Sequence, residues 1–132
     1  MICEFSIKTS ARNQLLEITA QVQEYISKSQ MREGICVVFT PHTTAAVTIN
    51  ENADPDVKTD VLRKLADVFP QSDNYRHNEG NSDSHIKSSL VGCAETIIVS
   101  GGRLLLGTWQ GIYFCEFDGP RQRKFCVKLV GG

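Results

Sequence analysis

The three histidines of the chain, His42, His77 and His85, all lie in polar segments. Imidazole is a common ligand of divalent first-row metal ions, and three imidazoles with an open fourth position form a catalytic type of zinc site. His77 and His85 are eight residues apart, which matches no ligand pair on one turn of a helix, so folding would have to bring the ligands together. A histidine in a loop is also often a plain surface residue, and the spacing leaves both interpretations open.

Four carboxylates lie near these histidines in the sequence: Glu51, Asp54, Glu79 and Asp83. Each could act as a metal ligand, as a general base or as a partner that fixes an imidazole tautomer. Asp54 directly precedes a proline and is well explained as a helix cap. Glu51 follows the predicted strand "AAVTIN", so it is the better candidate for a functional carboxylate at a strand end.

A second polar concentration lies in "GTWQGIYFCEFDGPRQRK", residues 107–124. Two glycines bracket Trp109 and Gln110 and permit close backbone approach around an aromatic face. Arg121, Arg123 and Lys124 form a small basic group that could bind a phosphate or a carboxylate. A charged strand end that keeps a sheet edge soluble explains the same residues equally well.

Composition limits the class of protein. The chain has 132 residues, 41% of them hydrophobic and 22% charged, with a formal net charge of -1, which indicates one soluble domain over residues 1–132. The sequence has no excess of basic residues of the kind that indicates nucleic-acid binding. No apolar run is long enough to span a membrane. The start of the sequence does not resemble a signal peptide, and the five cysteines form no CxxC pair, so we expect a cytoplasmic protein with reduced thiols.

Hydrophobic periodicity predicts the elements that must position these residues. Alternation predicts a strand over residues 2–9, and helical spacing predicts a helix capped by Thr19. "ICVVF" and "AAVTIN" indicate further strands, Asp54-Pro55 begins a helix that Pro70 stops, and "SHIKSSLVG" indicates a short helix ended by Gly92. The rest, "TIIVS", "LLLGTW", "GIYFCEF" and "KFCVKLV", favours β-structure, so the sequence predicts a compact α+β domain with layered antiparallel sheets and two to three helices.

Three segments carry a family resemblance: "FTPHTTAAVTINENADPDV", "YRHNEGNSDSHIKSSLVG" and "GRLLLGTWQGIYFCEFDGPRQRK". Together, and in this order, they closely resemble the YjbQ-like family, also called the secondary thiamine-phosphate synthase family. The resemblance covers nearly the whole chain. It implies an α+β fold with a β-rich core, assembly as a homotrimer, and a polar pocket associated with a divalent metal ion, zinc or a similar ion, or magnesium.

The resemblance also implies roles for single residues. The motif histidines His42, His77 and His85 correspond to metal ligands, and the acids Glu51 and Asp83 are the expected catalytic residues. The expected substrate-binding residues are Asn50, Trp109, Gln110, Arg121 and Arg123. Ser82 and Ser84 stand where the family more often has alanine, and such small replacements leave the ligand geometry intact.

The activity implied by the resemblance joins a pyrimidine diphosphate to a thiazole phosphate and releases pyrophosphate. Pyrophosphate prefers magnesium with oxygen ligands, whereas histidines suit zinc or nickel. That mismatch supports a first alternative, a metal-dependent hydrolase of a phosphorylated small molecule. A second alternative is a trimeric metal- or anion-binding protein without catalysis. His42 and Glu51 lie at opposite ends of a strand about 20 Å long, so either a subunit interface joins the two ends or one end alone belongs to the site.

Overall fold

The computed structural model describes residues 2–132 as eight strands and three helices in one α+β domain, as predicted. The strands are β1 (Ile2–Lys8), β2 (Gln14–Glu17), β3 (Gly34–Phe39), β4 (Ala45–Glu51), β5 (Ala94–Ser100), β6 (Arg103–Leu104), β7 (Gln110–Glu116) and β8 (Gln122–Gly131). The helices are α1 (Thr19–Ser29), α2 (Pro55–Val68) and α3 (Ser82–Val91). None of these helices has the length and apolar character that crossing a membrane requires.

The strands form two antiparallel sheets that share one core. The larger sheet has the order β1-β8-β3-β5-β6, and the smaller has the order β2-β7-β4. Val38 and Phe125 of the larger sheet and Phe114 of the smaller sheet are buried in the same cluster. Val22 and Ile26 of α1 complete this cluster, because helical spacing places both on one face.

Helices α2 and α3 cover the other face of the smaller sheet. Alternation along β7 sends Phe114 into the main core and Tyr113 and Cys115 to the opposite side, where they form a second cluster. Leu65 of α2 and Val91 of α3 pack against this second cluster. The smaller sheet is therefore apolar on both faces; α3 lies beside β4, and α2 lies beside β2.

Most sequence predictions of elements are confirmed. The first strand runs over Ile2–Lys8, and the Asp54 side chain caps α2 by accepting a hydrogen bond from the Asp56 backbone N–H at 2.9 Å. Helix α3 begins at Ser82, two residues earlier than predicted, and ends before Gly92.

Two local predictions are wrong. Thr19 does not cap α1, since Ile18 occupies the cap position; the Thr19 hydroxyl instead accepts a hydrogen bond from the Ile112 backbone N–H at 2.8 Å. The predicted strand over residues 104–109 ends at Leu104. A turn follows because the Gln110 side chain accepts from the Gly107 backbone N–H at 2.8 Å.

Candidate functional site

His42 lies in the turn between β3 and β4, where its ring is tied to β8. Its Nε2 atom accepts a hydrogen bond from the Lys124 backbone N–H at 3.0 Å. Because an accepting Nε2 must carry a lone pair, the proton of the neutral ring lies on Nδ1. Partial burial, followed by the positive charge of Arg123, lowers the pKa of His42 from its ordinary value. His42 is therefore a neutral imidazole that can donate one N–H.

A buried ion pair positions the turn that carries His42. Arg123 and Glu116, which are 4% and 0% exposed, pair with each other beneath the turn. The Arg123 guanidinium also donates to the Thr44 hydroxyl at 2.8 Å and to the Thr44 carbonyl oxygen at 3.2 Å. Thr9 donates to Glu116 Oε1 at 2.8 Å. The guanidinium is thus committed to Glu116 and Thr44, and it fixes the backbone two residues beyond His42.

Hydrogen bonding keeps Glu116 ionised. Burial by itself would raise the pKa of this carboxyl, but hydrogen bonds from Arg123, from the Asp118 backbone N–H and from Thr9 outweigh burial and lower it. Arg121, the other predicted anion-binding arginine, is exposed and forms an ion pair with Asp118 at 2.9 Å.

His42 and His85 line the same open groove. The groove has a volume of about 540 Å³ and lies between the β3–β4 turn and α3. Its other lining residues are Phe39, Thr40, Pro41, Thr43, Ser88, Ser89, Gly92 and Cys93. Folding therefore brings together two of the three histidines from segments that are 43 residues apart in the sequence.

A second open depression begins on the other side of His85. It has a volume of about 410 Å³, and His77, Tyr75 and Arg76 line it together with His85. The rings of His77 and His85 meet edge to face with their centroids 5.5 Å apart. The Nδ1 atom of His77 lies 3.2 Å from the Ser82 hydroxyl oxygen. His85 is therefore shared by two adjacent depressions, with His42 at one and His77 at the other.

The His77–His85 pair fits two ligands of a metal ion. Two imidazoles bound to one tetrahedral ion at about 2.1 Å per bond have ring centres about 5 Å apart, and this pair is at 5.5 Å. His42 fits a ligand role less well, because the Lys124 N–H occupies its Nε2 lone pair. Within residues 2–132, no three histidine, cysteine or acidic side chains converge on one point. Glu79 lies nearby, with its Oε2 atom 3.8 Å from His77 Nε2, so a third ligand would have to come from a rearranged side chain such as Glu79 or from a donor outside the chain.

Asp83, a predicted catalytic acid, is buried in an ionic network. It accepts hydrogen bonds from Arg12 at 3.0 and 3.1 Å and from Lys87 at 2.9 Å. Asp83 and Lys87 are 0% and 2% exposed, and Asp83 lines neither histidine depression. Burial alone would raise the pKa of Asp83, but the hydrogen bonds from Arg12 and Lys87 lower it. Asp83 therefore holds the start of α3 in place.

Asn50 and Glu51 lie at the far end of β4 from His42. They pair with Gly111 and Gln110 of β7, next to the exposed side chain of Trp109. The seven residues of β4 separate this end from the histidines by about 20 Å. Within one chain, Asn50, Glu51, Trp109 and Gln110 form a group separate from the histidine depressions.

Sequence reasoning missed several groove residues. Ser88 and Ser89 follow His85 by three and four residues, the spacing that places side chains on one helix face, so helical periodicity could have identified both. Cys93 is exposed in the groove immediately after α3. No sequence pattern points to Phe39, which reaches the groove because β3 ends there.

Known proteins resemble this chain in sequence and in fold. The family model described as "UPF0047 protein YjbQ-like" matches residues 3–132. The chain belongs to the YjbQ-like UPF0047 family. It is 55% identical to UPF0047 protein MJ1081 of Methanocaldococcus jannaschii over 99% of this chain and 95% of that protein. It is 49% identical to UPF0047 protein YugU of Bacillus subtilis over 99% of this chain and 100% of that protein.

Solved structures of similar proteins share the fold. A crystal structure of a YjbQ/UPF0047 protein from Clostridium acetobutylicum superimposes with a TM-score of 0.96 at 55% identity, covering 97% of this chain and 99% of that one. Hypothetical protein APE1520 of Aeropyrum pernix gives a TM-score of 0.95 at 37% identity, covering 100% and 99%. Both are described as uncharacterised or hypothetical proteins, so they establish the fold of the family.

Proposed function

We propose that this UPF0047 protein is a transferase that joins a pyrimidine diphosphate to a thiazole phosphate and releases pyrophosphate. One observation carries the proposal: His85 separates two adjacent open depressions, each with a second histidine. Their volumes, about 540 and 410 Å³, are of the size that binds small molecules. Two neighbouring depressions suit a reaction that must hold two substrates against each other.

The side chains of both depressions suit phosphorylated substrates. Arg76 lines the second depression, and it forms no ion pair within residues 2–132, so its guanidinium is available for a phosphate. His42 lines the groove, and its Nδ1–H would donate to a negatively charged substrate oxygen bound there. Ser88 and Ser89 on the opposite wall donate their hydroxyl protons to the backbone carbonyls of Ala45 and His85, so their oxygens remain as acceptors in the groove.

His77 and His85 would hold a divalent metal ion in the second depression, which both residues line, with zinc the ion that best suits imidazole ligands. When bound, such an ion supplies positive charge that stabilises the departing pyrophosphate. The alternative of a hydrolase has less support, since its expected bases, Glu51 and Asp83, line neither depression.

Turnover tests this proposal directly. With both phosphorylated substrates and zinc, the wild-type protein is expected to release pyrophosphate, and His85→Ala is expected to lower kcat by about 100-fold or more. Arg76→Gln is expected mainly to raise KM, because it removes a contact to a phosphate present before and during reaction. Asn74→Ala, in the same exposed loop, is the control and keeps the wild-type rate. Equal rates for wild type and His85→Ala would contradict the proposal.

We also propose that the protein assembles as a homotrimer through the outer face of the larger sheet. Ile98, Ile35 and Val130 are direct neighbours across β5, β3 and β8, and they are 55%, 38% and 44% exposed. An apolar row of this kind on a sheet face is typical of a protein–protein interface. Phe39, at the end of β3, extends the row into the histidine groove. Assembly through this face would bring a second copy next to His42.

A charge placed in this row is expected to prevent assembly. Ile98→Asp should convert trimer into monomer, because its carboxylate would have to be buried without a partner at the interface. Light scattering coupled to size exclusion measures the mass of each species. Val68→Asp provides the control, since Val68 is equally exposed, at 53%, but lies at the end of α2. A trimeric Ile98→Asp variant, or a monomeric wild type, would contradict this interface.

A further inference from the structure

A cavity of about 80 Å³ lies between α2 and the smaller sheet, away from the histidine groove. Leu15, Cys115 and Phe117 form its buried floor, and Val61 and Leu65 of α2 form its roof. The remaining lining residues are Thr48, Asn50, Glu51, Val57, Lys58, Val91 and Tyr113. Eight of these twelve residues are apolar or aromatic, which is the lining expected of a small-molecule site.

Helix α2 leaves this space open because it does not close fully on the sheet. Its apolar residues recur at helical spacing, as Val57, Val61 and Leu65, yet no residue of the helix is fully buried. Core packing normally removes such voids, because unfilled space forfeits contact energy on every lining side chain. A space beneath a whole amphipathic helix is therefore better explained as a site that a ligand fills.

The polar groups of the cavity collect at one end, where β4 ends and α2 begins. Glu51 and Lys58 bring one negative and one positive charge to this end, and neither forms a salt bridge within residues 2–132. Glu51 Oε2 accepts from the Asp54 backbone N–H at 3.2 Å, which leaves its second oxygen free. The Thr48 hydroxyl and the Asn50 amide stand beside them.

We propose that this cavity binds a free α-amino acid with a small branched apolar side chain. The ammonium group pairs with Glu51, the carboxylate pairs with Lys58, and the side chain enters the apolar space between Val61 and Phe117. A cavity of about 150 Å³ accommodates a benzene ring, so the 80 Å³ present here suits the three or four carbons of a valine or leucine side chain. The site is independent of the histidines and of the transferase proposal.

Binding of L-leucine and L-valine, followed by methyl NMR signals of Val61 and Leu65 and by calorimetry, tests this site. Leucine is expected to shift both signals saturably. 3-Methylbutylamine and 4-methylpentanoate, which are leucine without its carboxylate and leucine without its ammonium group, are expected to bind about tenfold more weakly or worse. Lys58→Gln is expected to weaken leucine binding by a similar factor, whereas Lys64→Gln, an exposed lysine on the same helix that does not line the cavity, leaves it unchanged.

Three outcomes would overturn the proposal. The first is the absence of saturable methyl shifts with either amino acid. The second is equal affinity for leucine, 3-methylbutylamine and 4-methylpentanoate, which would show a purely apolar void. The third is equal loss of binding in Lys58→Gln and Lys64→Gln, which would show a non-specific charge effect.

Discussion

Asp83→Asn is expected to lower the free energy of unfolding by about 3–5 kcal/mol, because it leaves the buried Lys87 ammonium and the Arg12 guanidinium without their carboxylate. Asp83 is fully buried and receives three hydrogen bonds from these two cations. Urea unfolding followed by circular dichroism measures the loss. Asp67→Asn is the control, since it removes an exposed ion pair with Arg63 and should cost no more than about 0.5 kcal/mol.

The Asp83 network and the separate Arg123–Glu116 pair together predict how stability depends on pH. The folded state lowers the pKa of Asp83 and of Glu116. Each carboxylate therefore contributes stability that is fully present above its unfolded pKa, about 4, and is lost as pH falls through the lower folded pKa. The wild-type protein should lose stability on acidification below about pH 4, and Asp83→Asn should show a shallower loss. If the free energy of unfolding fell equally steeply with pH in wild type and in Asp83→Asn, Asp83 would not be held ionised by Arg12 and Lys87.

Arg123→Met is the second large effect that we expect, with a loss of about 3–5 kcal/mol in the free energy of unfolding. The substitution leaves Glu116 buried without its cation and removes two hydrogen bonds to Thr44. Because Thr44 lies two residues after His42, the variant should also release the His42 turn. In ¹⁵N NMR spectra, the ring of His42 should change from the Nδ1–H tautomer to a mixture of tautomers.

Arg121→Met gives a matched control for this variant. Arg121 also pairs with an acid, Asp118, but its side chain is 49% exposed, so its loss should cost about 1 kcal/mol or less. Its removal should leave the His42 tautomer unchanged, since Arg121 does not contact Thr44. Equal destabilisation by the two variants would contradict the structural role assigned to the Arg123–Glu116 pair.

Much of the fold follows from sequence patterns because local rules and the tertiary structure agree there. Alternation marks β1, and the Asp54 cap with Pro55 at the first helical position marks the start of α2. Strand β2 was not predicted because its two central leucines, Leu15 and Leu16, are adjacent and so do not show the alternation of a half-buried strand. Each packs into a different cluster, Leu16 into the main core and Leu15 into the second cluster. Thr19 carries a capping side chain, but its hydroxyl binds β7 instead, a tertiary contact that no local rule reveals.

The candidate site was less predictable, because burial decides what each charged residue does. Asp83 and Lys87 have the spacing of a helical ion pair, a pattern visible in the sequence. Their burial depends on how α3 packs against β4, which sequence spacing does not encode. Arg121 and Arg123 likewise look equivalent in the sequence, and alternation along β8 turns Arg123 into the core.

Zinc binding tests whether His77 and His85 hold a metal ion in the second depression. We would titrate metal-free protein with zinc by calorimetry, comparing wild type with His77→Ala, His85→Ala and the control Asn74→Ala. We expect one zinc ion per chain in wild type and in the control, and an affinity at least about 100-fold weaker in each histidine variant. Unchanged zinc affinity in His77→Ala and His85→Ala, or no zinc binding by wild type, would contradict this expectation.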